Sequence, residues 1–134
     1  MIDFQFIKTK PLSVKHYKKW IKKVVVSEEK IVGDILFVFC NDDYLLEKNI
    51  QFLNHHTLTD VITFDYCEDK KISGDILISI DRVIENAKLF NVTFLKELDR
   101  VMVHGLLHLL GYNDKTKKDS KLMRIKEDFY INNK

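Results

Sequence analysis

The sequence predicts an α+β domain, with helices packed on a small mixed β-sheet. Three observations carry this. Short segments with alternating or β-branched apolar residues are interleaved with longer segments of helical apolar spacing. Helix-capping residues stand before the longer segments. One Pro and four Gly in 134 residues leave no room for long linkers, so residues 1–134 are expected to form one domain.

Ile2, Phe4 and Phe6 alternate with polar neighbours and predict a strand with one buried face. After Pro11, Ser13 is a candidate cap for a helix to about Ser27, with Val14, Tyr17, Trp20, Ile21, Val24 and Val25 on one side. Gly33 precedes the run Asp34 to Cys40, apolar enough for a central strand covered on both faces. Asn41-Asp42-Asp43 is expected to cap a second helix through Tyr44, Leu45, Leu46, Ile50 and Phe52. Asp60–Tyr66 and Gly74–Ile80 read as two strands of one hairpin across the polar turn at Glu68–Lys71. Asp81 is expected to cap a helix holding Val83, Ile84 and Ala87. Thr93 is expected to cap another from Phe94 to about Leu110. Gly111 stands where a left-handed helix stop is expected. A weaker helical pattern runs from about Ser120 to Tyr130.

Composition excludes some classes. No apolar stretch is long enough to cross a bilayer, and Met1–Lys10 lacks the apolar block of a signal peptide, so a cytoplasmic protein is expected. Cys40 and Cys67 form no C-x-x-C pair and read as reduced, partly buried thiols. The net charge of +2 does not identify a nucleic-acid binder. Lysines nevertheless crowd two segments, at Lys15, Lys18, Lys19, Lys22 and Lys23, and at Lys115, Lys117, Lys118 and Lys121. Alone, each cluster reads as a solvated face.

The chemistry lies in Val101 to Asp114. His104 and His108 stand four residues apart in an otherwise apolar helix. Burying two imidazoles there is costly unless each has a partner. At i and i+4 they share a face, one turn apart, where one tetrahedral cation can take both. Gly111 lets the chain reverse, and Asp114 can return a carboxylate to the same cation. The spacing His-x-x-x-His-x-x-Gly-x-x-Asp resembles the zinc segment of metzincin-like proteins, whose third ligand is usually His. A bare H-x-x-x-H more often marks two satisfied core histidines. The buried helix, the glycine stop and the third donor together favour a metal site at the end of a buried central helix. Three protein ligands leave a catalytic zinc one open position. Gly105 occupies the place of the general-base Glu in H-E-x-x-H peptidases, which disfavours a peptidase. It marks either a close approach of backbone or substrate, or plain helix–sheet packing.

The same segment resembles the YbeY family of single-strand-specific endoribonucleases that mature ribosomal RNA. The family motif H-G-x-L-H-L-x-G-Y-D-H is met here by His104-Gly105-Leu106-Leu107-His108-Leu109-Leu110-Gly111-Tyr112-Asn113-Asp114. A second signature, T-D-V-L-S-F, is met by Thr59-Asp60-Val61-Ile62-Thr63-Phe64, and a third, G-D-I, by Gly74-Asp75-Ile76. Glu97 stands seven residues before His104, as an acidic residue does in the family.

The resemblance implies an α+β fold, one zinc per chain on His104, His108 and Asp114, and an RNA substrate, a ribosomal RNA precursor on or near a ribosomal subunit. With RNA implied, Lys115, Lys117 and Lys118 become candidate phosphate contacts. The chain departs from the pattern at three places: Asp114 replaces the third His, Asn113 replaces the preceding Asp, and Leu53 stands where the family usually has an Arg thought to act on the phosphate. The polar His55-His56 pair reads as loop. Two other functions stay open on sequence alone. One is a zinc peptidase-like hydrolase with a base outside the histidine pair. The other is a non-catalytic ribosome-assembly factor with a structural zinc.

Overall fold

In the computed structural model, which describes residues 1–56 and 58–134, the first alternation forms β1 (Ile2–Phe6). Ile2, Phe4 and Phe6 face the main core, and Asp3 and Gln5 are exposed. Helix α1 spans Tyr17–Ser27, so it starts three residues later than a cap at Ser13 would set it. Leu12 and Val14 both pack on the core ahead of the helix, which begins after His16 without a side-chain cap. The α1 lysines at 18, 19, 22 and 23 are all exposed, opposite the buried Tyr17, Trp20, Ile21, Val24 and Val25.

Strand β2 (Ile31–Cys40) is the expected central strand, lengthened by two residues before Gly33, with a register shift between Val32 and Ile35. Helix α2 (Asp42–Leu53) is capped by Asn41, whose side chain accepts the Tyr44 N–H at 2.9 Å. β3 (Val61–Asp65) and β4 (Lys71–Ser79) form the expected antiparallel hairpin. Helix α3 (Ile80–Leu89) follows without a loop. Ser79, not Asp81, is its cap: Ser79 Oγ accepts the Arg82 N–H, while the Asp81 carboxylate turns to the Asp42 N–H at 2.9 Å. Helix α4 (Phe94–Leu109) is capped by Thr93 as expected. Helix α5 (Lys117–Asn132) begins three residues before Ser120, because Thr116 Oγ1 caps it through the Asp119 N–H at 3.0 Å.

The sheet order is β1-β2-β4-β3, with β1, β2 and β4 parallel and β3 antiparallel on the outer edge. Parallel neighbours need crossovers, and α1 supplies the first. Side chains alternate across the sheet. Ile35, Phe37, Phe39, Ile76 and Ile78 meet Trp20, Ile21, Val24, Leu98, Met102 and Leu106 on the face covered by α1 and α4. Leu36, Val38, Cys40, Ile62, Phe64 and Leu77 lie on the other face, with Tyr44 and Leu45 of α2. Among the described residues, five helices pack on a four-stranded mixed sheet, the α+β class that the sequence predicts.

Candidate metal centre

Helix α4 is anchored by apolar side chains on nearly every turn: Leu98, Val101, Met102, Val103, Leu106 and Leu107 are all at most 1% exposed. Its close seat on the sheet depends on Gly105. A Cβ there would stand 2.7 Å from Ile76 Cγ2, with Val61 and Thr63 methyls just beyond. Of the two readings of Gly105, helix–sheet packing is the one realised.

The helix ends on a double hydrogen-bonded reversal. Gly111, at φ +102°, donates its N–H to the His108 carbonyl at 3.1 Å, and Tyr112 donates to the Leu107 carbonyl at 3.0 Å. These are the two bonds of a Schellman stop, and the positive φ suits glycine. The reversal brings Asp114 back over the last turn. Its Oδ2 lies 3.5 Å from His104 Nε2 and 3.8 Å from His108 Nε2, and the two Nε2 atoms are 3.0 Å apart. One donor atom from each of the three residues thus lies within 4.8 Å of the others. A tetrahedral ion with donors at about 2.0–2.1 Å sets donor–donor edges of about 3.3 Å. The triangle has that size.

Hydrogen bonding on the far side of each ring gives the triangle its chemistry. His104 Nδ1 lies 2.6 Å from Glu127 Oε2, a carboxylate that can only accept when ionised. His108 Nδ1 lies 3.1 Å from the Tyr112 carbonyl oxygen. Both rings therefore carry their proton on Nδ1, and both Nε2 atoms present lone pairs. Two lone pairs 3.0 Å apart, with a carboxylate beside them, repel unless a cation lies between. Burial and then the neighbouring His104 hold the His108 pKa below the ordinary imidazole value, which favours the neutral, metal-binding form of that ring. The donor set fits a divalent cation such as zinc.

Beneath the rings lies a set of buried charges. Glu127, on α5, is 2% exposed. Arg100 makes two hydrogen bonds to Glu97, at 2.9 and 2.5 Å, and lies 3.6 Å from Glu127 Oε1 and 3.7 Å from Asp60 Oδ2. The Glu97 hydrogen bonds raise the Arg100 pKa although burial opposes them, so the guanidinium stays charged. Sequence reading missed Arg100 and Glu127. The signal for Glu127 was present, since it falls between Met123 and Tyr130 in the buried register of α5.

A cleft of about 320 Å³ opens over the triangle, walled by Leu53 at the end of α2, by Thr59 to Thr63 along the β3 edge, and by the three donors. Asp60 of the second signature lies in this cleft. Asp75 of the third lies elsewhere, in a groove beside α2. Lys115, Lys117 and Lys118 are exposed, in the turn after Asp114 and the first turn of α5. His55 and His56 are exposed just after α2.

Comparisons with known proteins bear on the family and the fold. A family model described as Endoribonuclease YbeY matches residues 3–134. Proteins named Endoribonuclease YbeY include one from Flavobacterium psychrophilum, 57% identical over 112 residues (84% of this chain and 80% of the relative), and one from Phocaeicola vulgatus, 45% identical over 130 residues (96% and 94%). Among solved structures, the solution structure of TM1509 from Thermotoga maritima superposes with a TM-score of 0.70 at 33% identity, covering 96% of this chain and 86% of that one. The chain belongs to the endoribonuclease YbeY family.

Proposed function

We propose that this chain is a zinc-dependent endoribonuclease that cuts single-stranded RNA in the maturation of ribosomal RNA, in the cytoplasm, with residues 1–134 acting as one hydrolase domain. The observation that carries the metal dependence is the triangle of His104 Nε2, His108 Nε2 and Asp114 Oδ2, whose sides are 3.0, 3.5 and 3.8 Å. Family membership supports the RNA substrate, since the relatives are named as endoribonucleases.

In this reading His104, His108 and Asp114 hold the zinc. When bound, zinc supplies Lewis acidity toward a phosphodiester and activates water. The chain's own residues do the positioning. Glu127 and the Tyr112 carbonyl fix the two imidazole tautomers. Leu53 contributes an apolar wall where the family usually has a cation, so phosphate charge falls to the metal and to Lys115, Lys117 and Lys118, exposed in the segment that follows Asp114. Attack by water and attack by the RNA 2′-hydroxyl differ in product, and only the second leaves a 2′,3′-cyclic phosphate.

Two other readings are weaker on specific grounds. A peptidase needs a carboxylate base poised over the metal. Asp60 and Glu127, the carboxylates beside the cluster, are engaged with Arg100 and with His104. A structural zinc in an assembly factor calls for a fourth protein donor, and the cluster among the described residues has three.

The test is metal content and cleavage together. Wild type purified without chelator or nickel should carry close to one zinc per chain and cut a single-stranded RNA. His108→Ala should lose both. Folded wild type that takes up no added zinc would remove the metalloenzyme reading.

A further inference from the structure

Asp75 belongs to the Gly74-Asp75-Ile76 signature, yet it lies on the sheet face opposite the histidines. Ile76 joins the core under α4, while Asp75 and Leu77 face the groove beside α2. The groove holds about 270 Å³, below the usual size of a drug-like site and suited to one flat heterocycle. Its walls are aromatic. Phe52 and Phe64 meet edge-on at 5.6 Å, and Tyr44 and Tyr66 flank them. Phe52 is 57% exposed and Tyr66 59%, so two large rings here stand open to a partner. Lys48 Nζ lies over the Tyr44 and Phe52 rings, at 5.2 and 5.7 Å. The Asp75 carboxylate has one long contact, 3.5 Å to the Tyr66 hydroxyl.

Aromatic faces, one carboxylate and one ammonium match the three parts of a nucleotide. Rings stack on a base of any kind. An ionised carboxylate only accepts hydrogen bonds, so it selects a base edge with adjacent donors. Guanine offers N1–H beside its N2 amino group. Adenine and cytosine place a ring acceptor beside their amino group, and uracil flanks N3–H with two carbonyls. The lysine suits the phosphate.

The groove also adjoins the metal cleft. Phe52 and Leu53 are consecutive, as are Thr63 and Phe64; the first and last of these four line the groove, and the middle two line the cleft. β3 is an edge strand, so a strand of RNA can pass over it from one side to the other. We propose that this groove is a base-recognition subsite for a guanine of the single-stranded RNA, read by Asp75 and stacked on the Phe52, Phe64 and Tyr66 rings. The proposal rests on the RNA reading above.

Guanosine 5′-monophosphate (GMP) is the probe, followed by amide NMR on the whole chain, with the adenosine and uridine monophosphates as controls and RNA cleavage measured in parallel. GMP should shift the Phe64, Tyr66 and Asp75 amides and bind more tightly than the other two. Asp75→Asn, which leaves one acceptor in place of two, should weaken GMP by about tenfold. Tyr66→Ala should weaken all three nucleotides alike. Cleavage of single-stranded RNA by the zinc-loaded wild type, with no GMP response in the groove, overturns the subsite and leaves the nuclease standing. GMP bound against Asp75 without RNA cleavage keeps the subsite and removes the nuclease. Equal binding of all three nucleotides, unchanged in Asp75→Asn, overturns guanine recognition.

Discussion

Glu127 accepts the Nδ1 proton of His104 at 2.6 Å, from a side chain only 3% exposed on the last helix. The C-terminal helix therefore orients a ring carried by the central one, and Arg100 ties both to Asp60 on the approach to β3. Buried charges of this kind are tolerated when paired, and removing one partner leaves another uncompensated.

Glu127→Gln keeps the shape and removes the charge. Carboxylate partners of ligating histidines raise ligand basicity, and their loss typically costs about 10–100-fold in metal affinity. Competition against a zinc chelator should show a drop of that order, with the far-UV circular dichroism unchanged. An unaltered affinity would mean that Glu127 serves only to balance Arg100.

Asp114 can be tested in two directions. Asp114→Ala removes a donor from the triangle and should lower zinc occupancy. Asp114→His restores the residue usual in the family, and its imidazole still offers a lone pair, so occupancy should persist. A neutral third ligand also makes the bound metal more electropositive, which should move the acid limb of any pH–rate profile to lower pH. Equal zinc content in wild type and Asp114→Ala would exclude Asp114 from the ligand set.

Glu28 links α1 to the site from the other side. It accepts hydrogen bonds from Tyr112 at 2.6 Å, from Tyr130, and from Lys126 at 3.2 Å, while the Tyr112 carbonyl takes the His108 Nδ1 proton. Burial pushes the Glu28 pKa up, but these three donors outweigh it and hold the value below the usual carboxylate range. A carboxyl with a depressed folded pKa stabilises the fold above its unfolded pKa, and loses that contribution as pH falls through the folded value. Glu28→Gln should therefore lower Tm at neutral pH, and the gap to wild type should close as pH drops below about 4.5. A gap that does not change with pH would assign the effect to packing rather than charge.

The legible parts of this molecule are those fixed by local chemistry. The Asn41 and Thr93 caps, the hairpin and the Gly111 stop each depend on a few neighbouring residues, and each falls where expected. His104, His108 and Asp114 were readable for the same reason, since one turn of helix and one reversal set their distances. The helix starts that moved follow no cap singled out in the sequence: α1 begins after His16 with no side-chain cap, and α5 begins on Thr116. Arg100 and Glu127 lie 27 residues apart and meet only through the packing of α4 on α5. No local pattern encodes that pairing, although a Glu in an apolar register was its trace.

Gly105 supplies the last prediction. In an isolated helix, Gly→Ala would stabilise by about 1 kcal/mol. Here the added methyl would stand 2.7 Å from Ile76 Cγ2, on a β-branched side chain fully buried in the sheet. A β-branched residue has little rotamer freedom to retreat, so α4 must lift off the sheet instead. Overpacking of this kind costs about 1–3 kcal/mol, which exceeds the propensity gain. Chemical denaturation of Gly105→Ala should show a net loss of stability. Because His104 and His108 ride on the same turns, zinc affinity should fall with it. A variant more stable than wild type would mean that the sheet yields at Ile76, and that Gly105 is not needed for the seat of the histidine helix.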